Sequence, residues 1–274
     1  MMAPFTLRAG SLRARTATLT ITLASLLSFA GNAAASTAPA RPYVPTPYPV
    51  VERMLEMAAL QPDDHLIDLG SGDGRIAISA VKDWNAGSAL GIDLNSARLA
   101  QAQQNAEEAG VADRVRFERA DLQETDLSDA SVLTVYQLNA KNLWLQPVIL
   151  KNMNPGARVL THSFDLGEWE PDQSDTVEGG TVHMWTVPAS VGGKWQLTTA
   201  EGTEALILIE QSYQRVVGSA EIGGEPMMLS EPHLHGNEIR FTIDSRQYVG
   251  KVEGDRIVPL EGTDVAVGWN AQRI

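Results

Sequence analysis

The chain has 274 residues, 43% of them hydrophobic and 20% charged, with 34 acidic side chains against 21 basic and no cysteine. A net charge of −13 disfavours a nucleic-acid partner, because phosphates need clustered Lys and Arg. Without thiols there are no disulfides and no thiolate metal sites, and the redox compartment is left open.

The first 35 residues carry Arg8, Arg13 and Arg15 and no acid. An apolar stretch from Thr18 to Ala30 follows, then Ala33-Ala34-Ala35. That order predicts a secretory signal peptide over 1–35 and an exported protein, periplasmic or secreted; a mitochondrial transit peptide is the rival reading. The apolar stretch is too short for a stable membrane anchor. Without the leader the balance is 18 basic against 34 acidic residues, −16. Residues 36–48 read as a Pro-rich linker through Pro39, Pro42, Pro45 and Pro47.

From residue 49 strands and helices alternate. Val50, Val51, Met54, Leu55 and Ala58 predict a helix over 49–60. His65-Leu66-Ile67 begins a strand, and helices follow over Arg75–Asp83 and Asn95–Ala109, the second capped by Asn95 and stopped by Gly110. Ser88–Leu94, Arg114–Leu122, Ser131–Leu138 and Ala157–Phe164 read as further strands, with a Pro147-kinked helix over 140–151 and a closing strand at Thr181–Val187. This grammar predicts an α/β fold, a doubly wound and mostly parallel sheet, over 49–188. After Pro188 short strands recur between Gly-rich turns, among them Trp195–Thr199, Ala205–Glu210, Arg215–Ala220, Glu238–Ile243, Tyr248–Val252 and Val265–Trp269. Residues 190–274 therefore read as a small antiparallel all-β meander, a barrel or an open sandwich. His233-Leu234-His235 puts two ligands on one strand face, but apart from Glu231 or the distant His183 no third is apparent, so no metal site is expected.

The chemistry concentrates at Asp68-Leu69-Gly70-Ser71-Gly72-Asp73-Gly74, directly after the first strand. Glycines at alternate positions allow a sharp turn and close approach of a ligand. The spacing is not the G-x-G-x-x-G of dinucleotide sites. An acid two residues ahead of the first glycine would repel a pyrophosphate, yet suits an ammonium such as the one that ends S-adenosylmethionine. Asp93 lies 19 residues beyond Gly74, at the position where a strand-tip acid takes ribose hydroxyls. Asp121, with Leu122 as an apolar wall, is placed to take an adenine amino group.

Three strand-tip acids in this order resemble the class I S-adenosylmethionine-dependent methyltransferases, which have a Rossmann-like fold. Tyr43-Val44-Pro45-Thr46-Pro47, Asp68–Ile76 and His162-Ser163-Phe164-Asp165-Leu166-Gly167-Glu168-Trp169 narrow the match. Across about residues 42–188 the chain resembles the mitochondrial lysine methyltransferases of the ATP synthase c-subunit and the adenine nucleotide translocase, and their bacterial relatives. The resemblance implies S-adenosylmethionine binding and methylation of a protein lysine; a small-molecule acceptor, or an exported non-catalytic protein with a ligand-binding β-domain, are the alternatives. Cofactor contacts are expected from Thr46, Asp68, Gly70, Ser71, Gly72, Asp93, Leu94, Asp121 and Leu122. The acceptor side is expected at Tyr136, Asn139 and Asp165, with Tyr43 and His162 as further candidates. One departure from amino-directed relatives is Tyr136-Gln137-Leu138-Asn139 where Asp/Asn-Pro-Pro-Tyr is common, which argues against base methylation.

Overall fold

The computed structural model describes residues 44–136, 139–260 and 266–274, with the backbone alone at 139–142. The leader, most of the linker and Tyr43 lie outside the described residues. Residues 44–274 form one compact unit.

Helix α1 (Tyr48–Ala58) starts where Pro47 and Pro49 preset φ and have no N–H to leave unpaired. It ends at Ala59, whose left-handed φ of 47° returns its N–H to Glu56 O. Then come β1 (His65–Leu69), α2 (Arg75–Lys82), β2 (Ser88–Ile92), α3 (Ser96–Glu108), β3 (Val115–Glu118), β4 (Val132–Val135), α4 (Asn139–Asn152), β5 (Arg158–His162), β6 (Gln173–Val177) and β7 (Gly180–Thr186). Asn95 caps α3 by accepting from the N–H groups of Ala97 and Arg98.

These strands form one sheet in the order β3-β2-β1-β4-β5-β7-β6. The first five run parallel, while β7 pairs antiparallel with both β5 and β6. Helices α1 and α2 bury Val50, Met54, Leu55, Ile76 and Ala77 on one face. On the other, Leu145 and Ile149 of α4 pack with Leu133, Val159 and Trp185. The doubly wound expectation holds. Two details differ from it. The sheet ends at β6, not at the strand over 181–187, because Gln173-Ser174-Asp175-Thr176-Val177 is a polar edge strand with no apolar alternation to announce it. Strand β3 stops at Glu118, so Asp121 sits in the turn beyond it.

The second sheet contains β8 (Gly193–Thr198), β9 (Glu204–Ser212), β10 (Arg215–Ile222), β11 (Glu225–Met228), β12 (Ser230–His235), β13 (Glu238–Ile243), β14 (Arg246–Glu253), β15 (Arg256–Pro259) and β16 (Asn270–Arg273). Its order, β11-β10-β9-β8-β16-β15-β14-β13-β12, ends on two strands that are consecutive in the chain. Only Leu229 separates them, and its N–H continues the β10 ladder by donating to Gly218 O at 2.9 Å. A register shift between Ser230 and His233, with Glu231 at φ 49°, bends this strand from one neighbour to the other. The meander thereby closes into a barrel-like ring. The strand expected over 265–269 is not present at the described residues 266–269; the chain pairs only from Asn270 onward.

Inward side chains fill the ring. Trp195, Leu197, Ile207, Ile239, Phe241, Tyr248, Ile257 and Trp269 are all buried. Tyr248 meets Trp269 edge-on at 5.3 Å and lies 5.5 Å from Phe241. A ring of this size has room for packed side chains or for one small ligand. Here the side chains take the space.

Candidate functional site

In an open α/β sheet, ligands bind outside the carboxyl ends of the strands, where the strand order reverses. In this sheet the reversal lies between β1 and β4. The loop after β1 bends across the end of β2. Gly70 N and Ser71 N both donate to Ile92 O, at 2.8 and 2.9 Å. Gly70, Gly72 and Gly74 take φ of 87°, 57° and 81°, the left-handed region that glycine enters without strain. Gly72 N then donates to Asp93 Oδ2 at 3.1 Å, so the turn and the tip of β2 are tied together.

Asp68 is the fourth residue of β1, placed between Gly91 and Thr134 of the neighbouring strands. It is 2% exposed. Its Oδ1 accepts from Thr134 Oγ1 at 2.8 Å, and its Oδ2 has no partner among the described residues. Burial pushes its carboxyl up to about 7; the Thr134 hydrogen bond opposes that, and the nearby charges of Asp93 and Asp73 add to it. A buried carboxylate oxygen without a donor is costly unless a ligand supplies one. Ser71 Oγ is likewise buried and unpartnered among the described residues.

Asp93 is buried just past β2. Its Oδ1 accepts from Asn95 N at 2.8 Å, and Arg98 stands 3.7 Å from its Oδ2. A carboxylate has about four acceptor directions, which leaves capacity for ligand hydroxyls. Leu94 follows it with its apolar side chain 53% exposed. Asp121 is exposed, its Oδ1 accepting from Gln123 N at 3.0 Å, beside the half-buried Leu122.

Thr46 is buried ahead of α1. Its carbonyl accepts from Arg75 Nη1 at 3.0 Å, and its hydroxyl lies 3.3 Å from His162 Nδ1. His162 Nε2 is 3.2 Å from Gly179 O. A carbonyl only accepts, so Nε2 carries the proton and Nδ1 accepts from the Thr46 hydroxyl. Burial lowers the His162 pKa, which keeps the ring neutral. Tyr136, at the end of β4, stacks on His162 at 4.3 Å, and Phe164 lies 6.1 Å beyond. Asp165 is exposed and caps its own turn by accepting from Gly167 N at 3.1 Å. Asn139 opens α4, and its side chain lies outside the described residues.

The structure thus gathers Asp68, Gly70, Ser71, Gly72 and Asp93 around one bend, and Thr46, His162 and Tyr136 around another cluster. Thr134, the donor to Asp68, was not anticipated. Its signal was a lone hydroxyl in the apolar run Val132-Leu133-Thr134-Val135. Phe117 was also missed; it fills the space against Gly74 and Gly91.

A family model described as the ANTKMT methyltransferase domain matches residues 68–173, ending before the barrel. A protein-lysine N-methyltransferase of Saccharolobus islandicus is 41% identical over 53% of this chain and 93% of its own length. The mouse adenine nucleotide translocase lysine N-methyltransferase is 31% identical over 53% of this chain, which spans only 61% of that enzyme. Among solved structures, an RNA methyltransferase from Salinibacter ruber in complex with S-adenosyl-L-homocysteine is 47% identical, with a TM-score of 0.52, over 54% of this chain and 96% of its own.

Proposed function

The chain belongs to the S-adenosylmethionine-dependent methyltransferases of the ANTKMT type, and from that membership we propose that it methylates the side-chain amine of a protein lysine. The observation that carries the cofactor side is the unpartnered, buried Asp68 Oδ2 at the glycine bend. An ammonium is the donor that such an oxygen lacks, and the amino-acid end of S-adenosylmethionine provides one. The residues fit this cofactor. Asp68, Gly70, Ser71 and Gly72 would hold its methionine end, Asp93 its ribose, and Leu94, Asp121 and Leu122 its adenine.

When bound, S-adenosylmethionine supplies an electrophilic methyl on a sulfonium whose departure leaves a neutral thioether, so no general acid is needed. The chain's own work is positioning. Thr46, pinned by His162 and Arg75, is the residue proposed to close over the cofactor. The Tyr136, His162 and Phe164 rings form an apolar wall that suits the stem of a lysine and limits water. Tyr136 and Asp165 are the proposed partners for the amine, which must shed a proton before it attacks.

The names of the relatives differ on the acceptor, and the net charge of −13 favours protein over RNA. The side chains packed inside the ring lend no support to the alternative of a β-domain that encloses a ligand. Extracts of the source organism, incubated with methyl-labelled S-adenosylmethionine and purified chain, should show label in protein that amino-acid analysis recovers as methyl-lysine. Label confined to RNA or to metabolites would overturn the reading. Export is part of the same proposal and rests on the arrangement of residues 1–35; the amino-terminal sequence and cellular location of the native protein test it.

A further inference from the structure

Strands β9 and β10 are joined by a two-residue turn, Tyr213-Gln214, between the paired residues Ser212 and Arg215. Tyr213 takes φ 56°. In such turns the left-handed position belongs mostly to Gly, Asn or Asp, and a bulky residue there is strained. The turn carries the ring outside the barrel. Tyr213 packs into the hydrophobic cluster of the first sheet and stacks on Trp169 at 6.1 Å and 14°.

Trp169 ends the segment that leaves β5. This segment begins at His162 and runs through Phe164, Asp165 and Leu166. It folds back on itself through a bridge between Leu166 and Trp169, with Gly167 at φ 72°. Trp169 is fully buried, and its carbonyl accepts from Trp185 Nε1 at 2.7 Å. That bond fixes the Trp169 backbone, and the indole itself lies between the Trp185 ring of β7, tilted at 6.1 Å, and the Tyr213 ring of the barrel. Beside it, Gln214 Nε2 donates to Glu170 O at 2.7 Å, and Arg215 pairs with the Glu170 carboxylate. That ion pair is exposed, so screening leaves it little strength. The buried ring contact is the stronger link.

We propose that the barrel braces the acceptor rim of the methyltransferase site, with Tyr213 as the positioning residue that holds segment 163–170 in place. This rests on the reading that the Tyr136, His162 and Phe164 wall faces the methyl acceptor. On it the barrel serves the chemistry at a distance and needs no ligand of its own. A strained backbone kept at a contact with the site segment is the feature expected where geometry is maintained for function.

The test uses two variants of the full chain. Tyr213→Gly removes the ring and suits the turn, so folding is preserved; Tyr213→Phe keeps the ring. Hydrogen–deuterium exchange of peptides covering 163–170 should rise in Tyr213→Gly and stay at the wild-type level in Tyr213→Phe, with the 68–74 loop unchanged in both. kcat/KM for the protein acceptor should fall about fivefold or more in Tyr213→Gly, since small misplacements near reacting groups carry large rate penalties, while KM for S-adenosylmethionine holds. Unchanged exchange over 163–170 in Tyr213→Gly would overturn the brace, as would equal losses on the acceptor and cofactor sides. If wild-type chain labels no protein at all, the lysine reading fails, and the exchange measurement still decides the brace.

Discussion

On the proposed cofactor site, Asp68 is the group expected to set the pH dependence. Its carboxyl is pushed up to about 7 from an ordinary 3.8. A raised folded-state value means that its contribution to stability is complete below about pH 3.8 and is lost as pH rises through about 7. The cofactor-free protein should therefore melt at a lower temperature at pH 8 than at pH 6, and Asp68→Asn should shrink that difference in calorimetric scans. Cofactor binding carries the opposite demand. An ammonium needs the ionised carboxylate, so affinity should fall by up to about tenfold per pH unit below pH 7 as the proton competes. Titration calorimetry at pH 6, 7 and 8 checks this, and a flat profile would separate Asp68 from the ammonium. Asp93→Ala should weaken cofactor binding about tenfold or more through the loss of charged hydrogen bonds, and would loosen the bend by removing the acceptor of Gly72 N. At this scale the acids and glycines were legible because their spacing is dictated by the chain's path past a strand end. Thr134 and Tyr213 were not. Each matters through a partner more than 40 residues away, and no local pattern encodes such a contact.

The elements that build the cleft were read well where burial is one-sided. Helices α1, α2 and α3 and strands β1, β2, β4 and β5 all lie within a few residues of their expected spans. Strands β6, β11, β12 and β15 were not anticipated. They are short, and β6, β11 and β12 carry mostly polar or exposed residues, so the period-two signal is lost. The close fit of β2 to β3 yields a sharp test. A Cβ on Gly91 would stand 2.5 Å from Phe117 Cδ1 and 2.8 Å from Ser71 Cβ. Gly91→Ala should thus displace both the ring and the loop that carries Ser71. It should cost about 1–3 kcal/mol by overpacking, seen as a lowered denaturant midpoint, together with weaker cofactor binding. Retention of wild-type affinity would show that the bend tolerates movement of β2.

On the scale of the whole molecule, the change of grammar after Pro188 correctly marked a second sheet. The ring closure was beyond reach, because it depends on a single bent strand and on β16 pairing with β8. Trp269 fills the ring while the cleft residues lie on the other sheet. Trp269→Ala should therefore cost about 3–5 kcal/mol of stability and leave cofactor affinity at working temperature intact, as thermal melts and calorimetry would show.

The β8–β16 pairing joins residues near 195 to residues near 272, and that has a consequence for biosynthesis. A ribosome releases the methyl-transfer sheet long before the last stave exists. Until Asn270–Arg273 arrives, β8 and β15 have bare hydrogen-bonding flanks of the kind that recruit strands from other chains. A chain cut before Asn270 is expected to elute as oligomers in size-exclusion chromatography, where the intact chain does not acquire them by this route. On this account the short strand Asn270–Arg273 is a clasp, covering the flanks of β8 and β15 together.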